Sequence, residues 1–289
     1  MERLFRRALA AFSTAALALK FVLGAAGRGS GVGRSAKLRL LLQLLRNRAK
    51  VPSLTSLQQQ LVLVRDIVGM PPAVPGAVVE CGCYAGGSTI ALSLACGLVH
   101  RKLFVCDSFT GLPAPRGDES LDVHPLSGTY YQWQKGDFPS PGGLEGVREN
   151  VRRFGNIDAC VFIAGYYRDT LPKLPADKIV LVYEDADLAS SVADCLKHLW
   201  PKLQPGCKFY CQEPWSIPVV ALFYDEAWWK ENAGIAPPGF FGSGGGVEYA
   251  LSSSGMGFAI KFDRDQIAAQ GRRIVHEGMQ TYEPERLSA

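Results

Sequence analysis

The chain has 289 residues, is 47% hydrophobic and carries a formal net charge of +4 from 31 lysines and arginines against 27 aspartates and glutamates. That length is generous for one domain and short for two, which predicts one α/β domain with an N-terminal extension and an insertion. The charge is uneven: Arg3, Arg6, Arg7, Lys20, Arg28, Arg34, Lys37, Arg39, Arg46, Arg48 and Lys50 precede the core with Glu2 as their only acid, so residues 51–289 carry more acids than bases and nucleic acid is not an expected partner.

Residues 1–26 join a basic start to an apolar body. The uncharged run 8–19 falls short of the ~20 residues that span a bilayer, and Lys20 interrupts it. Phe5, Leu9, Phe12, Ala16, Leu19 and Leu23 recur at helical spacing, with Arg6, Ser13 and Lys20 on another face. Three readings stay open: a helix packed on a partner or a second copy, a helix lying on a membrane surface, and a cleaved export signal. The Gly-rich run 27–33 reads as a flexible linker, setting residues 1–33 apart. A basic helix over 37–48 has Leu38, Leu41, Leu42 and Leu45 on one stripe, expected against the core. Another helix follows Ser53 or Thr55, turns Leu57, Leu61, Val64 and Val68 inward and stops at Gly69 before Pro71 and Pro72, so that 34–76 form a helical cap.

The run Ala-Val-Val-Glu-Cys-Gly-Cys-Tyr-Ala-Gly-Gly-Ser-Thr over 77–89 reads as strand, glycine turn and helix. Such a unit offers backbone N–H groups and a positive helix end to a ligand. The spacing of Gly82, Gly86 and Gly87 departs from the dinucleotide pattern G-x-G-x-x-G, and the next strand, 103–106, ends in Asp107, where a ribose-binding acid belongs. A nucleoside ligand without a pyrophosphate fits best. Residues 110–146, rich in Pro, Gly and Asp and holding His124, Tyr130, Tyr131, Trp133 and Phe138, are expected to form a substrate lid.

A helix over 144–154, a strand over 160–164 and a continuous apolar strand over 179–183 follow, the last ending in Glu184-Asp-Ala-Asp187. A helix over 190–203 and a strand over 208–211 lead to Gln212-Glu213-Pro214. In the tail, 247–251 and 258–262 suggest an antiparallel pair, and the Gly-rich run 242–246 a flexible loop without the Lys-Ser/Thr of a phosphate loop. The α/β fold expected is thus doubly wound and Rossmann-like, mostly parallel, over 77–270, with 271–289 as a tail. Seven of the eight cysteines lie in predicted strands, helices and the turn, none of them forms a zinc-spaced set, and they read as reduced thiols of a cytoplasmic protein. In such a sheet the strand ends bring Glu80, Asp107, Asp185 and Gln212-Glu213 to one crevice. Each acid alone could be a helix cap.

Three segments, Glu-Cys-Gly-Cys-Tyr-Ala-Gly-Gly-Ser (80–88), Cys-Asp-Ser-Phe-Thr-Gly-Leu-Pro (106–113) and Glu-Asp-Ala-Asp (184–187), occur in the order of one family. From about residue 57 to about 212 the chain resembles the macrocin-type sugar O-methyltransferases, a branch of the class I S-adenosylmethionine-dependent enzymes. The resemblance implies that Glu80 and Gly82, with Tyr84, Gly86 and Ser88 of the same turn, hold the methionine end of S-adenosylmethionine. It further implies that Asp107 takes the ribose hydroxyls and that Ser108 and Phe109 flank the adenosine. Asp185, Gln212 and Glu213 coincide with the family's divalent-metal ligands, which implies Mg²⁺. Asp185 or Asp187 would be the catalytic base, with His124 on the lid a weaker candidate, and the acceptor a small hydroxylated molecule, glycosylated or natural-product-like.

The chain departs from that pattern at Gln212-Glu213, where the family commonly has two aspartates, and at Ala189 and Ser190, where it has an aromatic and an acid. The neutral Gln212 predicts weak metal binding that leans on substrate oxygens. Homo-oligomers and a peripheral membrane contact through residues 1–26 stay open, as does a non-catalytic relative that binds cofactor or a partner. An NAD or nucleotide-sugar enzyme is disfavoured by the glycine spacing.

Overall fold

Continuous apolar runs become strands buried on both faces. In the computed structural model, which describes residues 2–124, 128, 130–243 and 255–262, these are β1 (Ala77–Cys81), β2 (Leu103–Asp107), the lid strands β3 (Leu121–Val123) and β4 (Tyr130–Gln132), β5 (Cys160–Ala164), β6 (Ile179–Glu184), β7 (Leu203–Cys211) and β8 (Gly257–Ile260). The main sheet has the order β5-β2-β1-β6-β7-β8. Its first five strands are parallel, and β8 closes the edge antiparallel to β7. The chain leaves β1 toward β2 on one side and is joined by β6 on the other, so the topological switch lies at β1, and the crevice belongs outside its carboxyl end.

Helices α1 (Glu2–Leu23), α2 (Arg34–Asn47), α3 (Leu57–Gly69), α4 (Gly87–Leu98), α5 (Gly143–Phe154), α6 (Tyr167–Thr170), α7 (Ala189–Leu199), α8 (Ile217–Leu222) and α9 (Glu226–Ala233) cover the sheet. α7 stops earlier than its periodicity suggests, because Pro201 turns 200–202 into a 3₁₀ segment and β7 begins at once. α3 starts at Ser56 with a complete capping box: Gln59 N donates to Ser56 Oγ at 3.2 Å and Ser56 N to Gln59 Oε1 at 2.6 Å. The expected partner of 258–262, residues 247–251, lies outside the described residues, as do 244–246 of the Gly-rich run and the tail 271–289. The strand that β8 pairs with is β7, from Lys208 opposite Ile260 to Cys211 opposite Gly257.

The N-terminal helices are packed onto the domain, α1 on α3 and α2 on α4. Residues 27–33, expected as a linker, fold against α3 instead. Gly27 takes a positive φ of 85°, and a Cβ there would lie 2.8 Å from both Val32 Cβ and Val68 Cγ1. The basic stretch of α2 also hides one cation. Lys37 is buried, and its Nζ donates to Gly24 O at 2.8 Å and Ala26 O at 3.1 Å, satisfying carbonyls just past the end of α1. No described helix is long and apolar enough to cross a membrane.

Candidate active site

A cleft of ≈930 Å³, measured to its open mouth, lies at the carboxyl ends of the parallel strands. Gly82, Tyr84, Ser88, Asp107, Ser108, Asp185 and Asp187 line it, as the sequence predicts. Gly82 has φ 90°, and a Cβ there would sit 1.9 Å from the Asp185 carbonyl oxygen, so the turn after β1 and the end of β6 touch backbone to backbone. Asp185 N donates to Cys81 O at 2.8 Å across the same junction. Gly82→Ala is therefore expected to destabilise the fold by about 2 kcal/mol or more, read by denaturant unfolding. An unchanged midpoint would mean that the two turns do not meet.

Asp107 fastens the next turn. Its Oδ2 accepts Cys83 N at 2.7 Å and its Oδ1 accepts Phe109 N at 2.6 Å, tying the loops after β1 and β2 together. Tyr84, Phe109, Phe138 and Asp187 all hold positive φ, between 46° and 60°. Non-glycine residues reach that region at a cost of about 1–3 kcal/mol each and collect at functional sites. Glu80, Gly86 and Phe109 border the cleft without lining it: Gly86 caps α4 with φ 86° and Phe109 is buried. Glu80 is fully buried behind the turn, where its Oε2 accepts Thr89 Oγ1 at 2.6 Å and its Oε1 has no partner. Burial pushes its pKa up to about 8.

The acidic corner differs from the predicted ligand set. Carboxylate oxygens of Asp185, Asp187 and Glu213 lie within 4.8 Å of one another. Burial raises the pKa of all three, and mutual repulsion raises Asp187 and Glu213 further. Gln212, expected to present its amide oxygen to a metal, has that oxygen engaged by Gln59 Nε2 at 3.1 Å and by Tyr183 Oη at 3.3 Å. The capping box fixes the sense of this contact: Gln59 Oε1 is taken by Ser56 N, so its Nε2 is the end that donates. Tyr183 Oη also lies 3.1 Å from Asp185 Oδ2 and 3.0 Å from Thr55 Oγ1. In space the third oxygen beside Asp185 and Glu213 is that of Asp187.

The lid reaches this corner from the other side. Glu119 accepts both Ser190 N and Ser190 Oγ at 2.8 Å, holding the lid to the start of α7. Ser190, one of the departures noted in the sequence, is thus the lid's anchor. His124 stacks on Trp215 at 5.4 Å, and Trp215 meets Tyr131 at 4.9 Å, which places this histidine in an aromatic stack instead of the cleft lining.

Sequence and structure comparisons agree with this geometry. The family profile described as macrocin O-methyltransferase (TylF) matches residues 55–220, more than half of the chain and all of the cleft lining but Ser53 and Leu54. The chain belongs to this family. It is 37% identical over 142 residues to the Streptomyces olivaceus 8-demethyl-8-(2,3-dimethoxy-alpha-L-rhamnosyl)-tetracenomycin-C 4'-O-methyltransferase, covering 46% of this chain and 51% of that protein. To the mycinamicin III 3''-O-methyltransferase of Micromonospora griseorubida it is 32% identical over 138 residues, 46% of this chain and 53% of that one. The chain thus spans about half the length of the curated relatives it matches. The solved O-methyltransferase NovP superposes with a TM-score of 0.58 at 20% identity, covering 79% of this chain and 100% of that one, which shows the shared fold.

Within this macrocin-family cleft, where Tyr167 and Arg168 of the run 166–172 after β5 also form part of the lining, Arg116 from the lid and Asp194 on α7 carried no signal in the sequence. Each is an ordinary surface residue by type and spacing. Only the meeting of lid, β5 loop and α7 brings them together.

Proposed function

We propose that this macrocin-family protein is an S-adenosylmethionine-dependent O-methyltransferase of the cytoplasm, acting on a hydroxyl of a small glycosylated or natural-product-like acceptor. The observation that carries the reading is one cleft with the Asp107 turn at one end and the Asp185–Asp187–Glu213 corner at the other. Asp107 has lone pairs left for two ribose hydroxyls beyond its two backbone bonds. Gly82, Tyr84 and Ser88 would receive the methionine end, with Glu80 bracing the start of α4 through Thr89. The unpaired state of all eight cysteines accords with a reducing compartment. The relatives' names supply the acceptor class.

The cofactor contributes a sulfonium methyl: its S–CH₃ bond breaks as an O–CH₃ bond forms, leaving a neutral thioether, and the hydroxyl proton passes to a carboxylate of the chain. Asp187 is the proposed acceptor of that proton, since it lines the cleft beside Asp185 and burial raises its pKa above the usual carboxylate range. Three carboxylates this close, Glu213 buried and Asp185 and Asp187 half-buried, offer a place for a cation, and their oxygens suit Mg²⁺. Asp185, Asp187 and Glu213 would hold it, and when bound it would lower the pKa of the acceptor hydroxyl.

Calorimetric titration with S-adenosylhomocysteine and with NAD tests the cofactor; binding of NAD alone would reject the reading. The metal has its own test. A carboxylate whose pKa is raised by folding stabilises the fold at low pH and loses that contribution as pH rises. The corner should therefore repel itself more as protons leave, and a cation should replace them. Added Mg²⁺ is expected to raise the melting temperature increasingly as pH goes from about 5 to about 8. A shift independent of pH, or none, would remove the metal from these residues.

A further inference from the structure

Helices α1 and α2 each turn a second apolar stripe to solvent. In α1, Leu17 and Phe21 are buried, while Phe12, Leu19 and Leu23 on the opposite edge are between 48% and 69% exposed. In α2, Leu40 and Leu44 are buried, while Leu38, Leu42 and Leu45 opposite them are 41% to 47% exposed. Residues three and four apart share a helix face, so each set is a continuous stripe. α1 lies on α3, α2 on α4, α3 on α4 and α1 on α2, so the two helices are neighbours and each stripe lies opposite the residues its helix buries against the domain. Around them stand the exposed bases Lys20, Arg28, Arg34, Arg39, Arg46 and Arg48. No acid occurs between Glu2 and Asp66.

We infer that this face docks onto an anionic lipid bilayer. Water alone would leave six large apolar side chains uncovered, a patch that marks an interaction site. A second copy joined through the same face by a two-fold axis would oppose base to base, with no acid on either side to pair them. An anionic membrane answers both features: the leucines and Phe12 sink into the headgroup boundary while the arginines meet lipid phosphates. The face is formed by two packed helices, so the docking is peripheral. It does not depend on the methyl-transfer reading.

Flotation of the full chain with vesicles tests it. Vesicles of phosphatidylcholine with one-third phosphatidylglycerol are expected to bind the protein at least about tenfold better than phosphatidylcholine alone, and the binding to fall as NaCl is raised from about 0.1 M to about 0.5 M. The pair Arg39→Gln and Arg46→Gln, and separately Leu42→Ser and Leu45→Ser, should each weaken binding about tenfold. All four side chains are exposed, and unchanged circular dichroism will confirm that the variants are folded. Equal binding to both vesicle types, or wild-type binding by both variants, would overturn the proposal. So would a dimer in analytical ultracentrifugation that Leu42→Ser and Leu45→Ser split without any preference for anionic vesicles, which would give the face to a second copy.

Discussion

Asp185→Asn is expected to lower methyl transfer about a thousandfold or more while leaving S-adenosylhomocysteine affinity within a factor of about two. The substitution keeps the shape of the side chain and leaves the backbone bond from Asp185 N to Cys81 O in place. What it removes is one of the three carboxylates that lie within 4.8 Å of one another, leaving a neutral amide whose oxygen can still accept from Tyr183. A thousandfold corresponds to about 4 kcal/mol, the size expected when a preorganised charge at the reacting centre is lost. Cofactor affinity should survive because the Asp107 turn and the Gly82 turn are untouched. Steady-state turnover with an acceptor, paired with calorimetry on the same preparation, separates the two. Turnover within tenfold of wild type would take Asp185 out of the reacting centre, and a parallel loss of cofactor affinity would make it a structural residue of the cleft.

Much of this site could be read from residue type at strand ends. Val78 and Val79 lead into Glu80, Leu103–Asp107 ends in its acid, and Ile179–Glu184 runs into Asp185, and a parallel sheet must place all these ends on one side. That inference needs only local apolar runs and one rule of topology. Gln212 shows where it stops. By type it is an oxygen ligand next to Glu213, yet its oxygen is occupied by Gln59, whose own orientation is set by a capping box at the start of α3. The chain of cause crosses three elements, and no periodicity encodes it. Lys37 is a further case, since nothing in a basic helix marks one lysine as buried until the carbonyls of Gly24 and Ala26 arrive beside it. The lid anchor formed by Glu119 and Ser190 likewise joins residues that only tertiary packing brings together.

Asp107→Ala is the second variant expected to have a large effect, and here the structure changes the meaning of the experiment. From sequence, Asp107 is a ribose acceptor whose loss should weaken S-adenosylhomocysteine alone. Both of its oxygens are also bonded to backbone, to Cys83 N at 2.7 Å and Phe109 N at 2.6 Å, so the alanine frees two turn amides as well. Buried donors left unpaired cost about 1–3 kcal/mol each, and a missing acceptor costs the ligand a similar amount. The expected outcome is a fall in S-adenosylhomocysteine affinity of about a hundredfold with a loss of about 2–6 kcal/mol in the stability of the free protein. Asp107→Asn discriminates between the two roles, because it keeps one acceptor oxygen for a turn amide while its NH₂ opposes the other. If the asparagine restores most of the stability but little of the affinity, the ribose contact is separate from the turn. If the alanine lowers stability and leaves affinity unchanged, Asp107 is an anchor of the two loops and the ribose hydroxyls must find their acceptor elsewhere in the cleft.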